Sequence, residues 1–231
     1  MLNVAHLTKR YGHVTALSDV SFSIRPGEVL GLIGPNGSGK TTLFECLAGV
    51  LHADGGTVLR DGQPVPIADR STVLFYMPDA ISPWPSQTVS WALDFAAGFF
   101  GGPPAGDWSD VFESLGLESL LDVRIGELSK GQRKRVLLAI GLLTPQPVLL
   151  ADEPFDGLDL RQTREIGGAL RGYAATGRTL FLSIHQISDA ARFCDRFVLL
   201  SAGRVCGEGT FDDITRRADA ANLEDAFLAL T

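Results

Sequence analysis

Apolar and polar positions along this chain change rhythm several times, and each change predicts a different element. Over residues 1–30 they alternate in short pieces, with Leu2, Val4 and Leu7 followed by Val20, Phe22 and Ile24. This predicts small antiparallel strands with a turn at Arg25-Pro26-Gly27. Residues 56–62 read as a second β piece, with Asp61-Gly62 as its turn. Mainly apolar runs at 29–33, 73–78, 148–151, 179–183 and 195–200 predict buried strands. Helical spacing follows the first run, at Leu43, Phe44, Leu47, Ala48 and Leu51, and returns over 110–144, including Val136, Leu137, Ile140 and Leu143. Strands that alternate with helices predict an α/β core. Residues 80–110 break the pattern with Pro83, Pro85, Pro103, Pro104 and a cluster of aromatics that includes Trp84, Trp91, Phe95, Phe99, Phe100 and Trp108.

Composition narrows this picture. A chain of 231 residues, 45% hydrophobic, can bury a full core in one domain. No stretch approaches the ~18 uninterrupted apolar residues of a membrane span, and the start lacks the charged-then-apolar order of a secretory signal. A soluble, cytoplasmic chain is expected. Cys46, Cys194 and Cys206 show no metal-ligand spacing and read as reduced thiols. A formal net charge of −7 argues against a broad nucleic-acid surface, so no nucleic-acid partner is expected.

Chemistry enters with Gly34-Pro35-Asn36-Gly37-Ser38-Gly39-Lys40-Thr41, which fits G-x-x-x-x-G-K-[ST]. The run lies between a predicted strand and a predicted helix, the context a nucleotide phosphate loop requires. The glycines let backbone N–H groups approach phosphate oxygens, and the positive end of the next helix favours the anion. Lys40 is expected on the β- and γ-phosphates, Thr41 on Mg²⁺ and Thr42 beside it in the same nucleotide site. Downstream, the strand 148–151 ends in Asp152-Glu153-Pro154. A carboxylate at such a strand end can hold Mg²⁺, and the next one can take a proton from an attacking water. Leu128-Ser129-Lys130-Gly131-Gln132 precedes an amphipathic helix; taken alone, Ser129 reads as an N-cap.

Phosphate loop, Leu-Ser-x-Gly-Gln and strand-Asp-Glu-Pro, in this order, resemble the ATP-binding cassette (ABC) ATPases over nearly the whole chain. The resemblance implies a P-loop NTPase core with a mostly parallel sheet, an N-terminal antiparallel β subdomain and an inserted α-helical subdomain. It implies one nucleotide-binding domain over 1–231, with 1–80 and 145–231 as core and β subdomain and 81–144 as helical subdomain. It casts Tyr11 as the adenine-stacking aromatic, Asp159 in Gly157-Leu158-Asp159 as part of the D-loop, and His185 as the switch histidine. ATP and Mg²⁺ are the implied cofactors. The implied assembly is a head-to-tail dimer in which Ser129, Gly131 and Gln132 of one subunit cover the nucleotide on the other's phosphate loop, and Glu153 activates water.

Two positions depart from the family pattern. Asp79 stands where the Q-loop glutamine belongs, and as an acid it adds charge and can only accept hydrogen bonds. It is expected to act catalytically and on Mg²⁺. Lys130 stands where many members have Gly, and it either approaches the partner's phosphates or faces solvent. The 222–231 tail resembles the closing segment of exporters of drugs, sodium or polysaccharide. An exporter subunit would bind separate membrane-spanning permease chains, as a homodimer or heterodimer, on the cytoplasmic face of the plasma membrane. The competing reading is a soluble ABC ATPase that regulates or assembles a cytosolic complex. The aromatics of the 80–110 region are either a permease-docking surface or the helical subdomain's own core.

Overall fold

A computed structural model describes residues 1–79, 81, 83–100 and 109–231, with the side chains of 109, 110, 188 and 189 excepted. Pro103, Pro104 and Trp108 lie outside the described residues. The strands are β1 (Leu2–Tyr11), β2 (Val14–Ile24), β3 (Val29–Ile33), β4 (Gly55–Arg60), β5 (Gln63–Pro64), β6 (Leu74–Met77), β7 (Val148–Ala151), β8 (Thr179–Ile184), β9 (Arg196–Ser201) and β10 (Arg204–Gly209). The α-helices are α1 (Lys40–Ala48), α2 (Arg70–Val73), α3 (Val89–Phe99), α4 (Ser109–Ser114), α5 (Lys130–Leu143), α6 (Leu160–Ala175), α7 (Ile187–Phe193), α8 (Phe211–Ala218) and α9 (Leu223–Leu230).

The strands form two sheets: an antiparallel β2-β1-β4-β5 and a larger β10-β9-β3-β8-β7-β6. In the larger sheet β9, β3, β8, β7 and β6 run parallel, with β10 antiparallel at one edge. Every residue of β3, β7 and β8 is buried, as expected of strands covered on both faces. On one face α1 packs through Leu43, Phe44 and Leu47 between the two sheets, against Phe22 and Phe181 among others. On the other face Val89, Leu93, Leu138, Leu142, Ile166 and Leu170 of α3, α5 and α6 cover Leu149, Leu180 and Leu182.

The N-terminal β piece differs from the sequence expectation. Instead of several small strands, β1 and β2 make one long antiparallel hairpin that turns at Gly12 and His13, while the expected turn at 25–27 is present between β2 and β3. The hairpin's register shifts between Val4 and Leu7, where His6 takes a left-handed φ of 56°, and again between Leu7 and Lys9, where Asp19 on the paired strand takes 58°. Such bulges break the period-two pattern, so one long strand reads in sequence as fragments. The helix α6 also goes beyond the sequence reading, although its Asp159-x-x-Gln162 capping box is a recognisable start.

Candidate functional site

Four neighbouring parallel strands, β3, β8, β7 and β6, deliver their carboxyl ends to one edge of the sheet, where α/β folds place their ligands. The phosphate loop leaves β3, His185 follows β8, Asp152 and Glu153 follow β7, and Asp79 follows β6. Residues separated by up to 151 positions (185 − 34) thus meet at one rim.

The loop's shape is set by backbone contacts. A Cβ on Gly34 would collide with the carbonyl oxygen of Leu200. Gly39 has a φ of 105° and its Cβ would lie 2.7 Å from the Ala16 oxygen. Only glycine satisfies both demands. Ser38 N–H donates to the Pro35 carbonyl at 3.1 Å, and the Ser38 carbonyl accepts from Gly203 N–H at 3.0 Å. Lys40 opens α1, is buried, and donates through Nζ to the carbonyls of Gly34 (2.8 Å) and Pro35 (3.3 Å). Burial lowers the Lys40 pKa, while Glu153 and Asp152 pull it back up. The Ser38 hydroxyl is buried with no hydrogen-bond partner among the described residues. A tight glycine loop that holds an ammonium on its carbonyls beside an unsatisfied buried hydroxyl fits a phosphate chain.

The second strand end is knitted just as tightly. Thr41 Oγ1 donates to Asp152 Oδ2 at 2.8 Å. Ser183 Oγ donates to Asp152 Oδ1 at 2.5 Å and accepts Glu153 N–H at 2.8 Å. Asp152 is buried, and its own N–H donates to the Met77 carbonyl at 2.9 Å. Thr41 and Asp152 offer an all-oxygen pair, the ligand class that Mg²⁺ takes, so these residues fit the ion. Glu153 sits in the left-handed region at φ 48° and lines a cleft of about 470 Å³ together with Asn36, Asp156, Leu158, Ser183 and His185. Ser183 was not anticipated, although its place two residues before His185 at a strand end is a usable signal.

The remaining predicted residues stand further out. Tyr11, at the end of β1, is 48% exposed, with Lys9 Nζ 5.5 Å from its ring centroid. Ser129 caps α5 by accepting Gln132 N–H at 3.2 Å, and Gln132 Oε1 accepts Ser129 N–H at 2.9 Å. The Gln132 amide oxygen is therefore committed to its own helix. Gly131 is buried, and a Cβ there would lie 3.1 Å from Leu158 and 3.2 Å from the Gly157 oxygen. Asp159 caps α6, accepting Gln162 N–H at 2.8 Å.

Both departures from the family pattern turn out to be paired. The Asp79 carboxylate meets Lys134 Nζ at 2.5 Å, a partner the sequence did not reveal, rather than joining the Thr41–Asp152 pair. The Lys130 side chain is 60% exposed, and its Nζ bonds Asp156 Oδ2 at 2.5 Å. Trp84, Trp91, Phe95 and Phe99 form a surface ladder with Trp91 and Phe95 stacked at 5.1 Å and 12°, and Phe99 is 73% exposed. Phe100 instead turns inward, edge-on to Phe75 at 5.8 Å.

The sequence pattern of the ABC transporter family matches residues 17–156, more than half of the chain. The chain belongs to the ABC transporter ATP-binding family. It is 35% identical over 213 residues to the Nod factor export ATP-binding protein I of Burkholderia orbicola (strain AU 1054), covering 90% of this chain and 70% of that protein. It is 36% identical over 214 residues to the protein of the same name from Ralstonia nicotianae (strain ATCC BAA-1114 / GMI1000), covering 90% and 67%. Among solved structures, an ATP-binding subunit of an ABC transporter superposes with a TM-score of 0.88 at 29% identity, covering 100% of this chain and 99% of that one. The ADP conformation of another ABC transporter cassette superposes at 0.80 with 25% identity, covering 97% of each chain. This ABC cassette is an ATPase, the ATP-binding subunit of a transporter. Among its described residues, no helix is long and apolar enough to cross a membrane.

Proposed function

We propose that this cassette powers an exporter from the cytoplasmic face of the plasma membrane, as one half of a head-to-tail pair that closes on two ATP molecules. The observation that carries the reading is the convergence of phosphate loop, Asp152-Glu153 and His185 at one rim. The rim is open on the side of the cleft, so a second cassette, identical or related, can complete it. The relatives named for Nod factor export favour the exporter direction.

In this reading Gly34–Thr42 wrap the triphosphate, and the Lys40 ammonium exchanges its two carbonyl partners for phosphate oxygens. Tyr11, half exposed, offers its ring to adenine. Mg²⁺, when bound by Thr41 and Asp152, neutralises phosphate charge. Glu153 takes a proton from a water whose oxygen bonds to the γ-phosphorus; the bond to the β–γ bridging oxygen breaks, and ADP and phosphate leave. His185 lies in the same cleft, placed to hold the γ-phosphate. The first turn of α5, with Ser129 and Gly131, presents a helix N-terminus to the partner's nucleotide, and Asp159 couples the two sites. The ladder of Trp84, Trp91, Phe95 and Phe99 is the docking face for a permease chain, since contiguous exposed aromatics mark interaction surfaces.

Purification of Glu153→Gln from detergent-solubilised native membranes with Mg·ATP tests this. A stoichiometric multi-span membrane protein in the eluate is expected. Recovery only from the soluble fraction, alone or with a cytosolic partner, would replace the exporter with the soluble regulatory reading.

A further inference from the structure

Lys134 has no part in the phosphate loop or the acid pair described above, yet it is among the most completely buried side chains in the protein, with 2% of its side chain exposed. Lysine is almost never buried this far unless it is paired. Its Nζ has three oxygens within reach: Asp79 Oδ1 at 2.5 Å, the Asp79 carbonyl at 3.4 Å and the Asp152 carbonyl at 3.4 Å. These belong to the exits of β6 and β7, and Lys134 itself belongs to α5, the helix capped by Ser129. One ammonium therefore joins three chain segments that carry the chemistry.

The charges around it explain why a cation is needed. Carboxylate oxygens of Asp79, Glu153 and Asp156 lie within 4.8 Å of one another. Three carboxylates at this spacing repel. Two lysines one helical turn apart on α5 relieve two of them, Lys134 on Asp79 and Lys130 on Asp156. Among the described residues, Glu153 is the member of the trio with no ion-pair partner. The lysines satisfy two acids and leave the third available as a proton acceptor.

We propose that Lys134 is a positioning residue for ATP hydrolysis, which neutralises Asp79 and ties the loop after β6 to the Asp152 backbone so that Glu153 alone of the acid trio stays unpaired. In this chain Asp79 and Lys134 act as a unit, and the acid is tolerated at the Q-loop position because the lysine is there. The inference rests on the ATPase site proposed above.

The test is a double-mutant cycle on the full chain with Asp79→Gln, Lys134→Gln, both together, and Lys134→Arg, read by steady-state Mg·ATP hydrolysis and by hydrogen exchange over residues 74–79 in the nucleotide-free protein. Lys134→Gln is expected to lower kcat at least ~10-fold, as loss of well-placed geometry does, while KM for ATP changes less than ~2-fold. It should also speed exchange at the β6 exit. Lys134→Arg should keep most of kcat, and the double variant should recover both readouts most of the way to wild type. If Lys134→Gln does not fold, Lys134→Arg and the double variant still decide the matter, because the proposal requires both to be active. A double variant no better than Lys134→Gln, or Lys134→Gln with wild-type kcat and only a lower Tm, overturns the proposal and leaves the ATPase site intact. A wild-type chain without turnover under the same conditions overturns the ATPase site first, and the role of Lys134 with it.

Discussion

The phosphate-loop rim and the start of α5 carry the two halves of the proposed chemistry, and they are built in opposite ways. The rim is buried backbone and short side chains: glycines forced by nearby carbonyls, Thr41 and Ser183 bonded to a buried Asp152, and Lys40 folded into the loop. The α5 start is a surface cap plus two long lysines reaching back to the core. The first half is assembled from segments of one chain. The second satisfies its own N-terminus with Ser129 and Gln132, and in the proposed head-to-tail pair it would meet the nucleotide of the facing cassette. A buried rim and a surface cap should therefore fail in different ways.

The largest expected effect falls on the rim. Glu153→Gln should retain ATP binding and lower turnover by about 10²- to 10⁴-fold, as loss of a general base does; phosphate release and equilibrium ATP binding measure the two parts. Normal hydrolysis by this variant would take Glu153 out of the role. Metal dependence separates the halves further. Thr41→Ala should raise the Mg²⁺ concentration needed for half-maximal turnover by about 10-fold or more, and Asp79→Gln should shift it less, because Asp79 is occupied by Lys134. An equal or larger shift for Asp79→Gln would place that carboxylate on the ion. Ser183→Ala removes a buried donor from Asp152 and an acceptor from Glu153 N–H, and should cost about 1–3 kcal/mol in urea unfolding. Ser129→Ala removes only a cap and should cost about 1 kcal/mol. The smallest effect belongs to Lys130→Gly: both partners of its ion pair are well exposed, at 60% and 44%, so at most about 1 kcal/mol is at stake.

The same division governs what the sequence discloses. The phosphate loop is one contiguous segment whose expected role rests on its backbone, so spacing alone suggests it. Asp152 and Glu153 are legible because an apolar strand ends at them. His185 required the family resemblance, since a strand-end histidine has no chemistry of its own until the sheet order brings β8 beside β3. Asp79 and Lys134 lie 55 positions apart, and their pairing depends on where a loop and a helix meet, which no local pattern encodes. Ser183 is hidden for a similar reason, as its hydroxyl matters only after β7 and β8 align. In the antiparallel sheet the bulges at His6 and Asp19 masked two long strands that a regular alternation would have shown.

Glu153 holds a backbone conformation that suits glycine far better than glutamate. Left-handed geometry at a residue with a side chain costs on the order of 1 kcal/mol, so Glu153→Gly should make the isolated cassette more stable while removing its proposed base. Selection for thermal resistance alone would then drift toward a sturdy protein that grips ATP and never turns it over. The acid persists only under a selection that rewards turnover.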